Sequence, residues 1–303
     1  MNFLITGGCG YIGSRVTRHL LKLRHKVLVF DSFWFGNSLK KHKNLKVIKG
    51  DIRDFDKLNI RNIDVIIHLA NVANDPTVEL NPNLSWEINV LAAKIMADHA
   101  IKNKVKKLIF FSSGSVYGLK KEKKVTEELK LNPISVYNKT KMIAERVFLS
   151  FKDKIEVICL RPATVCGVSE RLRLDVTVNK LTFDGFFKKK IFVDGGKQVR
   201  PNIHIEDIVR IIDHFVLSKK KFKHNIYNIG FENLSILQIA KKIQKRLRVK
   251  IKINKSRDIR SYRQDSSRLI KTGFKPKYSV DHAIDQLIEY FKIKKLSNFG
   301  VNN

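Results

Sequence analysis

Six short apolar runs punctuate the first 165 residues: NFLIT (2–6), KVLVFD (26–31), LKVIKGD (45–51), IDVIIHLA (63–70), KKLIFFSS (106–113) and IEVICLRP (155–162). Helical periodicity lies between them. YIGSRVTRHLLKL (11–23) puts Ile12, Val16, Leu20 and Leu23 on one face, and LSWEINVLAAKIMADHAIKN (84–103) and VYNKTKMIAERVFLSF (136–151) read as two longer helices. Strands that are apolar throughout must be covered on both faces, and strands separated by helices pair in parallel. The expected fold class is therefore α/β, a doubly wound parallel sheet over residues 1–165.

The remainder, 166–303, is less regular. VTVNKLTFDGFFKKK (176–190) reads as a helix, and IFVDGG (191–196) opens a turn-rich section. Ser235 and Gln238 have the spacing of a capping box at a helix start. SVDHAIDQLIEYF (279–291) is an amphipathic helix with Val280, Ile284, Leu287 and Phe291 inward. This part is expected to form a smaller, mixed α/β domain for substrate, with some segments crossing back to the first. No low-complexity linker separates the two, so close packing around a cleft is expected.

The chain has 303 residues, 43% of them hydrophobic, which suits a globular protein. No apolar run reaches the roughly 18 residues of a membrane span, and no signal peptide is read at the N-terminus. Cys9, Cys159 and Cys166 show no CxxC spacing and read as buried thiols in a reducing, cytoplasmic setting, with no metal site. The net charge of +32 is spread along the chain, with one acidic window over 51–100. Nucleic-acid binding is disfavoured, because no nucleic-acid motif and no basic tail accompany the charge. A positive field does favour an anionic substrate.

Gly7, Gly10 and Gly13 follow the first strand and open the first helix. Glycines there permit a tight turn and let a pyrophosphate rest against the helix N-terminus. Tyr11 and Ile12 lie in the same turn. Asp31 ends the second strand, where a carboxylate takes the two ribose hydroxyls of an adenosine and repels a 2′-phosphate, which favours NAD over NADP. Asp51 and Ile52 end the third strand, a place for adenine.

Tyr137 and Lys141 are one helical turn apart. An ammonium beside a phenol stabilises the phenolate and makes a general base near neutral pH. Ser112 and Ser113 end the fifth strand, where a hydroxyl meets a substrate oxygen.

GGCGYIG, GDI, IIHLA, SSGSVYG, YNKTK, LRPATVCG and GGKQVRPNIHIED occur in this order. Together they resemble the extended short-chain dehydrogenase/reductases, the NAD-dependent epimerase/dehydratase group that acts on nucleotide sugars, from the first strand to about Pro276. The resemblance implies a Rossmann domain holding NAD. It implies Tyr137 as base, Lys141 as its partner and ligand of the nicotinamide ribose, and Ser113 as the catalytic hydroxyl. Leu69 and Ala70 would lie by the pyrophosphate. Arg200 matches an arginine that holds the sugar-nucleotide diphosphate, and Arg260 and Arg263 are further candidates for that anion. Many sugar epimerases carry asparagine where Thr164 stands, and Asn179 is a candidate for the missing amide. The stretch Asn71 to Pro76 departs from the usual small-residue loop. His68 reads as a packed core residue, and His204 as a brace for the following helix. Family members are often dimers, so a homodimer is allowed.

The group shares an opening step, oxidation of a sugar hydroxyl, most often at C4. Dehydratases place acidic residues directly after the catalytic hydroxyl, whereas Gly114 and Ser115 stand here. A 4-epimerase acting through a transient 4-keto sugar is preferred on family frequency. A 4-dehydrogenase is the alternative, a 4,6-dehydratase a weaker one, and an NAD-binding protein with an RNA or partner role the non-enzymatic one.

Overall fold

The computed structural model describes residues 1–218, 220–255 and 261–294. Its first six strands are β1 (Asn2–Thr6), β2 (Lys26–Asp31), β3 (Leu45–Lys49), β4 (Val65–His68), β5 (Lys107–Phe111) and β6 (Glu156–Pro162). They lie in the order β3-β2-β1-β4-β5-β6, and a later strand, Ile226–Ile229, adds beside β6. The five pairings from β3 to β6 are all parallel. This is the order of a Rossmann-like sheet, and it reverses direction between β1 and β4. A ligand crevice is expected at that point, outside the carboxyl ends of the strands.

Five helices accompany these strands: α1 (Tyr11–Lys22), α2 (Asp75–Leu80), α3 (Pro82–Trp86), α4 (Ala92–Lys102) and α5 (Val136–Leu149). Leu4, Ile66, Leu108, Phe110 and Val157 of the sheet pack with Met96, Ala97, Ala144 and Phe148 of the helices in one core. The expected stripe on α1 is only half right. Val16 and Leu20 are buried, but Ile12 is only half-buried and Leu23 is exposed, and Tyr11, Gly13, Ser14 and Thr17 take the other inward places. The expected helix over 84–103 is interrupted. A π-helical turn, Glu87–Leu91, separates α3 from α4. It carries buried Asn89, which accepts from Val72 N–H at 2.8 Å and donates to Val72 C=O at 3.2 Å and Thr140 Oγ1 at 3.1 Å. The irregular turn thus satisfies the backbone of the loop after β4, a recurring use of π-turns.

By its contacts the chain forms two compact units. The first comprises Met1–Gly118, Glu127–Arg161 and Asp213–Tyr227, and the second Leu119–Thr126, Pro162–Ile212 and the described residues from Asn228 onward. The second unit holds β7 (Thr164–Cys166), β8 (Lys190–Asp194), β9 (Val199–His204), β11 (Glu232–Ser235) and β12 (Lys250–Asn254), the strand Ile226–Ile229 being β10. β9 pairs antiparallel with β11 and parallel with β7, and β8 pairs parallel with β12, which makes a mixed α/β unit. Its helices are α6 (Thr177–Lys188), most of α7 (Ile205–Leu217), α8 (Ile236–Leu247), α9 (Ser267–Ile270) and α10 (Val280–Ile293). Val280, Ile284, Leu287 and Phe291 of α10 are buried as the periodicity predicts. Ser235 and Gln238 form the capping box that starts α8. No helix among the described residues is long and apolar enough to cross a membrane.

Candidate active site

The turn between β1 and α1 is fixed by its own backbone. Gly7 has φ +70, and a Cβ there would stand 2.7 Å from Ala70 N. A Cβ on Gly13 would stand 2.1 Å from Gly7 O. Gly10 is different, since a Cβ there would meet only Gly7 O at 3.2 Å. Gly10 is also the N-cap of α1, and no side chain caps that end. The turn therefore presents the positive end of a helix dipole beside a position without a side chain. Tyr11 is buried in the first turn of α1, and Ile12 is half-buried.

Asp31 stands at the end of β2. Its Oδ2 accepts from Cys9 N–H at 2.9 Å and its Oδ1 from Phe33 N–H at 2.8 Å. An ionised carboxylate has about four acceptor positions, so capacity remains for two ribose hydroxyls. Asp51 caps a 3-10 turn, Ile52–Lys57, and its carboxylate is held by the Arg53 fork at 2.7 and 3.1 Å, which keeps its pKa below the usual range. Ile52 is buried behind it. Leu69 and Ala70 follow β4 against the glycine turn, with Leu69 N–H bonded to Thr6 C=O at 3.0 Å. An uncapped helix end, a glycine with one close backbone neighbour and a carboxylate bound to the same loop fit a dinucleotide.

Ser113 and Tyr137 belong to a turn and a helix that are bonded to each other. Ser113 caps the short turn Gly114–Tyr117, and its Oγ lies 2.7 Å from Ser115 Oγ. Ser115 Oγ donates to Asn138 Oδ1 at 2.5 Å, next to Tyr137 on α5. Ser135 caps α5 by accepting from Asn138 N–H at 3.2 Å. Ser113 is half-buried, whereas Ser112 is buried and its hydroxyl has no partner among the described residues. Tyr137 is half-buried and packs on the core of the first unit.

Lys141 is 4% exposed, with its ammonium 4.7 Å from the centre of the Phe110 ring. Burial pulls its pKa down to about 7, and the Glu145 charge opposes that shift. His68 is packed in the core as expected, stacked on Phe110 and bonded through Nδ1 to Thr6 Oγ1 at 2.7 Å. Burial, with the Lys141 charge added, pushes His68 down to about 3. Between pH 6.5 and 3 the unfolded chain binds a proton that the folded chain refuses, so stability falls as pH falls through this window. Urea unfolding at pH 7 and pH 5 should show a loss of about 1 kcal/mol per pH unit from this group at most. In His68→Leu that part of the slope disappears.

The second unit holds the other candidates. Arg200 is half-buried on β9, opposite Leu234 of β11, with Nη1 donating to Val199 C=O at 3.3 Å. Val199 in turn bonds to Ser261 Oγ at 3.0 Å, and Arg263, two residues on, is exposed. Arg260 lies outside the described residues. Asn179 lies on α6. It is fully buried, accepts from Gly167 N–H at 3.0 Å and donates to Gly167 C=O at 3.3 Å and Arg173 C=O at 2.9 Å. Its amide braces the loop after β7. His204 accepts from Glu206 N–H at 3.1 Å, bonds to Gln286 and stacks on Tyr278, so it braces the start of α7.

Sequence reasoning missed Asn138, Glu145, Arg161 and Tyr117. Arg161 and Glu145 form a buried ion pair, and Arg161 also reaches Tyr117. A signal was available: Arg161 is a single cation inside an apolar strand.

Known proteins share this fold. The model of the NAD dependent epimerase/dehydratase family matches residues 3–230. A UDP-glucose 4-epimerase of Lactobacillus helveticus is 31% identical over 273 residues, 80% of this chain and 82% of its own. A putative UDP-glucose 4-epimerase of Methanocaldococcus jannaschii is 27% identical over 302 residues, 95% of this chain and 98% of its own. A solved UDP-glucuronic acid 4-epimerase from Bacillus cereus, in complex with UDP-glucuronic acid and NAD, is similar with a TM-score of 0.86 at 27% identity, over 97% of this chain and 99% of that one. A match running from Phe3 to Gly230, on a fold whose crevice fits a dinucleotide, means that the chain is an enzyme of the NAD dependent epimerase/dehydratase family.

Proposed function

We propose that the protein is an NAD-dependent UDP-hexose 4-epimerase. The carrying observation is the Ser115–Asn138 bond, which joins the turn of Ser113 to the helix of Tyr137 and Lys141. Tyr137 takes the proton of the sugar C4 hydroxyl and later returns it. Lys141 favours the phenolate when it is protonated, and its pKa of about 7 makes that charge sensitive to its surroundings near neutral pH. Ser113 bonds to the same sugar oxygen, and Ser115 orients its hydroxyl. The glycine turn, Asp31 and Lys141 would hold NAD, which would supply the hydride chemistry at the sugar carbon. Arg200 binds the diphosphate, for which a guanidinium fork is suited.

The 4-epimerase names of the relatives support the choice among the chemistries of the family. The turn after Ser113 supports it too, since Gly114 and Ser115 bring no carboxylate to expel water. Purified enzyme with NAD is incubated with UDP-glucose, UDP-glucuronic acid and UDP-N-acetylglucosamine, and the products are separated and weighed. A product of unchanged mass and shifted retention supports the epimerase. A product lighter by two hydrogens, with NADH formed, identifies a dehydrogenase, and loss of water identifies a dehydratase. For Arg200→Ala, KM for the sugar nucleotide rises about tenfold or more while kcat changes little, as expected for a charged hydrogen bond lost equally in ground and transition states.

A further inference from the structure

Beneath the Tyr137–Lys141 face lies a group of buried charges that the mechanism above does not use. Glu145 continues that face one turn beyond Lys141 and is 1% exposed. Arg161 on β6 is 3% exposed. Arg161 donates through Nε to Glu145 Oε2 at 3.0 Å and through Nη2 to Oε1 at 2.5 Å. Its Nη1 donates to the Tyr117 hydroxyl at 2.7 Å, and the guanidinium carbon lies 4.9 Å from the centre of the Tyr117 ring. Tyr117 is the last residue of the turn that Ser113 caps. One guanidinium thus ties the end of the serine turn to the middle of the helix that carries Tyr137 and Lys141.

Stability alone does not call for this arrangement. Burying a guanidinium and a carboxylate costs several kcal/mol per ion, and packed apolar side chains in their place are often neutral or stabilising. An apolar pair lacks two things. It makes no directed bonds to hold two segments in register, and it places no negative charge one turn from Lys141. The groups around Lys141 are Tyr137 and Glu145 on α5, His68 on β4 and the Phe110 ring on β5, with Arg161 and the Cys159 thiol on β6 behind Glu145. His68 is neutral at working pH, and Cys159 is held as the thiol by burial. Glu145 is the group among them that supports an ammonium on Lys141.

We propose that Arg161, Glu145 and Tyr117 act as a positioning triad, which sets the register of the Ser113 turn against the Tyr137–Lys141 face and holds a carboxylate one helical turn from Lys141. The proposal rests on the reading of Tyr137 and Lys141 as the base and its partner. Three variants of the holoenzyme test it. In Glu145→Leu/Arg161→Met both charges leave together, so no ion is stranded. Thermal unfolding should shift little and NAD should still bind, while kcat falls about tenfold or more from lost register. The sign of the pH effect follows from the charges. Without the carboxylate, burial acts unopposed on Lys141, which gives up its proton at lower pH. The basic limb of the kcat profile therefore moves to lower pH. Tyr117→Phe deletes one oxygen and leaves the ion pair, so it should lower kcat about threefold to tenfold without moving the pH profile. Tyr137→Phe is the control for the underlying reading. If Tyr137→Phe turns over normally, that reading falls and the triad with it. If Tyr137→Phe is inactive but the folded double variant keeps wild-type kcat and pH profile, the triad alone is overturned. Should the double variant not fold, unchanged kcat in Tyr117→Phe overturns the proposal.

Discussion

Tyr137→Phe lowers kcat for the UDP-sugar by about 10²–10⁴-fold, the range for removal of a general base. The change removes one oxygen from a half-buried side chain whose ring packs on the core, so the ring contacts persist and the melting temperature stays within a few degrees. Lys141 remains on its helix and Asp31 on its strand, so NAD still binds. Steady-state turnover, a thermal melt and an NAD titration separate these effects. Retention of more than a tenth of wild-type kcat, with NAD bound, removes Tyr137 from the role of base.

Gly13→Ala produces the second large effect, and through stability rather than chemistry. The added Cβ would lie 2.1 Å from Gly7 O and 2.7 Å from Gly8 Cα, and both are backbone atoms with no rotamer to change. The turn or the first part of α1 must move, at a cost of about 1–3 kcal/mol by analogy with other overpacked sites. The same movement displaces the helix N-terminus from the place expected for the pyrophosphate. Affinity for NAD should fall together with the melting temperature, and saturating NAD should restore only part of the loss. Gly10→Ala serves as the comparison. Its Cβ meets Gly7 O at 3.2 Å rather than 2.1 Å, so it should melt above Gly13→Ala and still bind NAD more weakly. If Gly13→Ala melts like wild type, the packing account of this glycine is wrong.

The Rossmann-like sheet was legible because its strands are apolar along their whole length and its helices show a clear period. Leu4, Ile66, Leu108 and Val157 are buried in one core for that reason. The glycine turn and the Tyr137–Lys141 spacing were legible because short-range chemistry fixes both. The breaks in regular structure were less so. The π-turn at Glu87–Leu91 exists because Asn89 must reach both polar groups of Val72, a contact between residues 17 positions apart. The partners of Asn179 were hidden for a similar reason. Its amide type suited a substrate, but Gly167 and Arg173 supply backbone partners that only the folded chain brings near. The buried partnership of Arg161 with Glu145 was half visible. A cation in a strand of apolar residues needs a partner, yet the sequence does not say which carboxylate is close.

Asp31 carries two obligations on one carboxylate. In the NAD-binding reading proposed above it takes the adenosine ribose, and it also pins the glycine turn through Cys9 N–H at 2.9 Å. The usual route from NAD to NADP replaces such an acid with a neutral or basic residue. In this chain that exchange would release the turn as well as the 2′-hydroxyl. Cofactor preference and loop rigidity are therefore inherited together here, and a lineage or a designer changing one must rebuild the other in the same step.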